Sequence, residues 1–201
     1  VRTLTKIIPD SHALFLGNSL PVREVDFYGS GNGSEVKLGL NRGASGIDGL
    51  VASSAGYSKG LNQPLTLLLG DLSLLHDLNS LKLISESPKP IVLIVLNNHG
   101  GGIFSFLPIS EHKDIFETYF STPHSLEFKD AAKMFKLPYF HPESPEEFES
   151  IYLKQISADK SCIIEVNTLK EDNIRVQKEW TEFLHQNREI YQEPTAAIQN
   201  R

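Results

Sequence analysis

The stretch "IVLIVLNNHGGGIF", residues 91–104, decides the fold, and "LLLGDLSLLHD", residues 67–77, repeats its logic. Each opens as an unbroken apolar run. Each then breaks into polar residues beside glycine: Asn97-Asn98-His99-Gly100 in the first, Gly70-Asp71 in the second. Continuous apolarity, rather than alternation, marks a strand covered on both faces, as in a parallel sheet. The polar breaks then fall beyond the carboxyl ends of strands, where open parallel sheets bind ligands.

Working outward, "ALFLG" (13–17), "PLTLLLG" (64–70), "PIVLIVLN" (90–97) and "SCIIEVN" (161–167) read as strands. Helical patterns lie between them. Leu74, Leu78 and Leu81 step by four and three, and Phe128, Ala131, Ala132 and Phe135 form one apolar stripe. Ser144-Pro145-Glu146-Glu147 is a capping box with proline at the first helical position, leading into Phe148, Ile151 and Tyr152. Trp180, Phe183 and Leu184 give a last amphipathic helix, and "YQEPTAAIQNR" reads as a frayed tail. The alternation predicts an α/β fold: a doubly wound, mainly parallel sheet with helices on both faces. "YGSGNGSE" (28–35) reads as a surface loop and not a domain boundary.

A chain of 201 residues, 40% hydrophobic and 22% charged, suits one domain with a real core. No run of about 18 apolar residues is present, so no membrane span is expected. The opening "VRTLTKIIPD" lacks a signal-peptide pattern, which makes the cytoplasm the expected compartment. A formal net charge of −6 without a Lys/Arg cluster argues against a nucleic-acid surface. The single cysteine, Cys162, reads as a buried inert thiol. Val1 in place of methionine raises the expectation of a longer parent protein, with a processed chain as the alternative.

If the two polar-tipped strands are neighbours, the Asp71 carboxylate and the Asn98 amide oxygen converge, and the glycines let a backbone carbonyl join them. That hard-oxygen set suits Mg²⁺ shared with phosphate and water. Singly, an Asp after Gly is an ordinary helix N-cap, and Asn-Asn before glycines an ordinary turn. His99 is not expected to ligate, because Mg²⁺ prefers oxygen. His76 and Asp77 read as a helix-surface pair, and Ser45 as the cap of a helix beginning near Gly46.

The Gly-Asp … Asn-Asn arrangement resembles the signature of thiamine-diphosphate enzymes. "GNSLPVREVD" (17–26), "NRGASGIDG" (41–49), "GDLSLLHDLN" (70–79) and "NNHGGGIFSFLP" (97–108) resemble, in that order, motifs of the MenD family, the 2-succinyl-5-enolpyruvyl-6-hydroxy-3-cyclohexene-1-carboxylate synthases of menaquinone biosynthesis. Leu72 stands where many relatives have glycine. The resemblance runs from about residue 4 to about residue 170. It matches a C-terminal diphosphate-binding domain (1–170), followed by a helix and tail (171–201), with the pyrimidine-binding and middle domains absent.

The resemblance implies thiamine diphosphate and Mg²⁺, or Mn²⁺, as cofactors. It implies Asp71, Asn98 and the Gly100 carbonyl as metal ligands. It implies cofactor contacts from Ser19, Arg42, Ile47, Gly70, Leu72, Ser73, Ile103, Phe104 and Leu107 beside those three, with Ile47 as the residue that bends the cofactor. Arg23, Arg42 and Ser19 are expected to position substrate. The implied reaction decarboxylates 2-oxoglutarate and adds the succinyl carbanion equivalent to isochorismate. The activating glutamate would come from the pyrimidine-binding domain of a second subunit in a homo-oligomer, so this chain alone is expected to be inactive. Two rivals are an acetolactate-synthase-type enzyme, opposed by "NRGASGIDG", and a Rossmann-like nucleotide-binding module, opposed by the missing G-x-G-x-x-G.

Overall fold

Six parallel strands, β1 (Ala13–Leu16), β2 (Leu38–Leu40), β3 (Leu65–Gly70), β4 (Ile91–Asn97), β5 (Tyr139–Phe140) and β6 (Cys162–Asn167), form one sheet in the order β2-β1-β3-β4-β6-β5. The computed structural model describes residues 1–30 and 35–187. The chain divides into two units, Val1–Thr168 and Leu169–Arg201. Residues 31–34 of the expected 28–35 loop, and the expected frayed tail, lie outside the described residues.

The first unit carries α1 (Arg2–Ile7), α2 (Leu20–Tyr28), α3 (Leu50–Leu61), α4 (Asp71–His76), α5 (Leu81–Ser85), α6 (Lys113–Phe116), α7 (Lys129–Met134) and α8 (Pro145–Ser157). The second carries α9 (Lys170–Gln186), where Trp180 stacks on Phe183 at 5.5 Å between ring centroids. No described helix is long and apolar enough to cross a membrane.

The central strands are apolar on both sides because both sides are covered. Phe15, Leu67, Leu93 and Ile163 face one helical layer with Leu50 and Val51 of α3, Leu74 of α4, Leu81 and Ile84 of α5 and Ala132 of α7. Leu14, Leu16, Leu68, Val92, Ile94 and Ile164 face the other, with Leu4 of α1 and Tyr152 of α8. Each such side chain, fully buried, contributes roughly 1.5–3 kcal/mol. The result is the doubly wound α/β sheet expected from the apolar runs.

The chain leaves β1 into α2 on one face and leaves β3 into α4 on the other, so the winding changes direction between these adjacent strands. A crevice beyond strand ends opens at such a switch. Gly17, which ends the β1 segment, allows the close approach there: a Cβ would come within 2.9 Å of Leu69 Cβ.

Three expectations need correction. The Leu74–Leu78–Leu81 stripe is not one helix: α4 stops at His76, a single 3-10 turn spans Leu78–Ser80, and α5 starts at Leu81. Ser45 does not cap a helix near Gly46; α3 begins at Leu50, after Gly49 at φ 67°. Asp77 is not a surface partner of His76. It is buried, and its carboxylate accepts the Ala52 amide (3.0 Å) and the Ser80 hydroxyl (2.5 Å). Asp77 thus satisfies, from a different element, a first-turn amide of α3 that the N-cap glycine has no side chain to meet. The Ser144 cap forms as expected, its hydroxyl accepting from the Glu147 amide, while Glu147 returns to the Glu143 amide instead of that of Ser144.

Candidate functional site

Asp71 and Asn98 meet because β3 and β4 pair directly. The register sets Gly70 opposite Leu96, so both strands end at the same height. Asp71 opens α4 and is only 2% exposed. Its Oδ1 accepts the Leu72 amide at 2.7 Å and its Oδ2 accepts the Gly100 amide at 2.9 Å. Asn98 Oδ1 lies 3.2 Å from Asp71 Oδ2 and 2.8 Å from the Gly100 carbonyl oxygen.

The end of the Asn98 amide, the Asp71 carboxylate and the Gly100 carbonyl therefore converge. A half-turn of the Asn98 amide would let its NH₂ donate to both neighbours. The orientation with oxygen inward is the one a cation requires. An octahedral ion with metal–oxygen bonds of about 2.1 Å holds adjacent ligands roughly 3 Å apart, which is the spacing here. Among the described residues no cluster of three His, Cys, Asp or Glu side chains could hold a metal. A cation here would have to take the Asn98 amide oxygen and the Gly100 carbonyl beside the single carboxylate of Asp71.

Backbone shape makes this loop possible. His99 takes the left-handed region at φ 58° and Gly100 sits at φ 147°, where a side chain would run into the Ser121 carbonyl. A Cβ on Gly102 would collide with the Asn98 amide. The glycine run reads as a requirement for close backbone approach.

Burial raises the Asp71 carboxyl above its ordinary value; the amides of Leu72 and Gly100 and the nearby His124 oppose this without cancelling it. His124 Nε2 comes to 3.2 Å from Asp71 Oδ2, but off the line of a good hydrogen bond, so that nitrogen stays unpartnered. Its Nδ1 accepts the Leu126 amide at 3.1 Å, which leaves the proton of a neutral ring on Nε2. His99 packs edge-on against His124 at 5.7 Å. His124 has no telltale spacing in sequence, and nothing there foretold its place.

A second group forms after β1 and β2. Asn18 is buried; its Nδ2 donates to the Gly46 carbonyl at 2.6 Å and its Oδ1 accepts from Arg42 Nη1 at 3.0 Å. One amide thus ties the 41–49 loop to the tip of β1. Arg23 turns back within α2, its Nη1 donating to the Ser19 carbonyl at 2.7 Å. Ser19 stands at the N-cap position of α2 but makes no capping bond and holds φ 72°, ψ −129°. Such backbone strain in a non-glycine residue concentrates at functional sites.

The remaining candidates surround these groups. Gly70 occupies the N-cap position of α4, the Leu72 amide is taken by Asp71, and Ser73 is buried. Ile47 is half-buried in the 41–49 loop. Ile103 and Phe104 lie half-buried on the 3-10 turn Gly102–Phe106, where Phe104 meets Phe120 edge-on at 5.6 Å, and Leu107 is exposed. Cys162 is buried, and burial pushes its thiol up to about 12, as an inert core residue should be.

No family model matches the chain. Over 175 residues, 86% of its length, it is 49% identical to the 2-succinyl-5-enolpyruvyl-6-hydroxy-3-cyclohexene-1-carboxylate synthase of Chlorobium phaeobacteroides (strain BS1). Over 178 residues, 89% of its length, it is 47% identical to the synthase of the same name from Rubrobacter xylanophilus. The chain spans about 30% of the length of these relatives. The resemblance carried by its four motifs therefore extends over most of the chain. Among solved structures, benzoylformate decarboxylase from Polynucleobacter necessarius shares the fold, with a TM-score of 0.67 at 17% identity over 84% of this chain and 32% of that one.

Proposed function

We propose, from that kinship and from the oxygen triangle of Asp71, Asn98 and Gly100, that this chain is the diphosphate-anchoring domain of a thiamine-diphosphate- and Mg²⁺-dependent carboligase of menaquinone biosynthesis. The observation that carries the reading is the convergence of the Asn98 side-chain amide on the Asp71 carboxylate and the Gly100 carbonyl at the tips of two paired strands. A carboxylate, an amide oxygen and a carbonyl are hard donors that would suit Mg²⁺ shared with diphosphate and water, and Mn²⁺ would fit the same set.

The reaction is that of the whole enzyme: decarboxylation of 2-oxoglutarate and transfer of its succinyl unit to isochorismate. The names of the relatives support it. Thiamine diphosphate, when bound, supplies the electron sink. This chain's share is to hold and orient. Asp71, Asn98 and Gly100 hold the cation. Gly70, Leu72, Ser73, Ser19, Ile47, Ile103, Phe104 and Leu107 shape the bed around the cofactor. Arg23 and Arg42 receive substrate carboxylates, for which a guanidinium fork is matched. The hydrogen bonds to Ser19 and Asn18 support the arginines by presetting their direction. The activating glutamate comes from the pyrimidine-binding domain of a second subunit, in a cytoplasmic homo-oligomer.

A thermal-shift comparison tests the cofactor. Stabilisation by Mg²⁺ with thiamine diphosphate, but not by NAD or ATP, is the expected result. Stabilisation by a nucleotide alone would replace this reading with a nucleotide-binding module. An assay of the complete enzyme with 2-oxoglutarate against pyruvate then tests the substrate.

A further inference from the structure

Glu165 lies in β6 with no exposed surface. Three donors meet its carboxyl oxygens. Asn97 Nδ2 reaches Oε1 at 2.6 Å, and the Phe128 amide and the Tyr139 hydroxyl reach Oε2 at 2.9 and 2.8 Å. Asn97 is fully buried at the tip of β4 and divides its amide between two loops. Its Oδ1 accepts the His99 amide at 3.1 Å, and its Nδ2 also donates to the Leu126 carbonyl at 3.0 Å.

These bonds lead to the same place. Through Asn97, Glu165 fixes the start of the loop that presents Asn98 and Gly100. Through Phe128 and Leu126 it fixes the segment whose Leu126 amide orients the His124 ring beside Asp71. We propose that Glu165 is a positioning residue for the cation site, setting the Asn98–Gly100 loop through Asn97 without itself touching ligand or metal. The inference rests on the reading of Asp71, Asn98 and Gly100 as that site. A carboxyl wanted only for stability has no need to direct its bonds into both loops that flank Asp71, and apolar packing often does as well in a core. Partners behind metal ligands characteristically act this way, and losing one costs about 10–100-fold in metal affinity or activity.

The test compares the 201-residue chain with its Glu165→Gln and Asn97→Ala variants. Glu165→Gln keeps the shape but sets an NH₂ against a donor. Asn97→Ala cuts the link to His99 and leaves Glu165 bonded to Phe128 and Tyr139. Amide exchange without ligand is the first readout. His99 and Gly100 are expected to exchange at least about tenfold faster in both variants, with Leu67 and Leu93 in the sheet unchanged. Mn²⁺ affinity in the presence of thiamine diphosphate is the second, with an expected loss of about 10–100-fold. A folded variant of either kind with wild-type exchange at His99 and Gly100 and wild-type Mn²⁺ affinity overturns the proposal. Failure of the unsubstituted chain to bind Mn²⁺ with thiamine diphosphate overturns the cation site and with it the role proposed for Glu165, whereas wild-type exchange in the variants of a chain that does bind Mn²⁺ overturns the role alone.

Discussion

Asp71 Oδ2 accepts the Gly100 amide at 2.9 Å, so the tip of β3 and the loop after β4 are joined directly. The bond places the Gly100 backbone beside the carboxylate and holds it there. If Asp71 and Gly100 hold the cation as proposed, a bond that already joins them spares conformational entropy that ordering the loops would cost.

That carboxylate is buried, and its proton affinity is raised by burial. In the ligand-free chain the charged form is therefore disfavoured. The stability linked to Asp71 is fullest at low pH and declines as pH rises from the unfolded value near 3.9 through the raised folded value. A cation reverses the balance. Asp71→Asn removes the buried charge but turns an NH₂ toward one of two backbone amides, and the two changes oppose each other. The ligand-free melting temperature is therefore expected to stay within a few degrees of the unsubstituted chain, at about 2–4 °C per kcal/mol, while the shift induced by Mg²⁺ with thiamine diphosphate is abolished. Differential scanning fluorimetry at pH 7 with and without ligands reads both effects.

Gly102→Ala drives a methyl group into the Asn98 amide. The expected outcome is a loss of cation affinity of at least about tenfold in a chain that still folds, since the collision falls on a proposed ligand and not on the sheet. Isothermal titration with Mn²⁺ and thiamine diphosphate, beside a far-ultraviolet circular dichroism spectrum, separates the two.

His12 is buried with its Nδ1 unpartnered, and burial lowers its pKa below the ordinary value, with Asp159 pulling weakly the other way. The unfolded chain therefore binds this proton more readily than the folded one. The contribution is fully present above about pH 6.5 and is lost as pH falls from there toward the lowered folded value. His12→Gln is expected to flatten the decline in urea midpoint between pH 7 and pH 5. An unchanged slope would remove His12 from the acid response.

Asp77→Ala leaves the Ala52 amide and the Ser80 hydroxyl without their acceptor. A lost helix cap costs about 0.5–2 kcal/mol, and a buried donor left unmet about 1–3 kcal/mol. Urea unfolding is expected to show a loss of about 2–4 kcal/mol on those figures with an unchanged m-value.

The sequence made the central strands legible because they are buried on both faces, and apolar runs such as "IVLIVL" have few other uses in a globular fold. It did not reveal β2 or β5. Both are short edge strands: Leu38 and Leu40 of β2 are exposed, and β5 is only Tyr139 and Phe140. Little periodicity fits in elements so short. The pairing of Asp71 with Asn98 was readable because each follows its strand directly. The roles of Asp77, His124 and Glu165 were not, because each depends on where a distant element lands. Glu165 alone left a trace, as an acid inside the apolar run "CIIEV", which marks a charge that the core must satisfy.

The account stands on one ion in one place. Crystals of the chain grown with Mn²⁺ and thiamine diphosphate, measured at a wavelength where manganese scatters anomalously, show that place directly. The account predicts a single strong anomalous peak about 2.2 Å from an Asp71 carboxylate oxygen, Asn98 Oδ1 and the Gly100 carbonyl oxygen, with diphosphate completing the coordination. A cofactor-bound crystal with manganese elsewhere, or with the Asn98 NH₂ turned toward Asp71 and no metal between them, would contradict it.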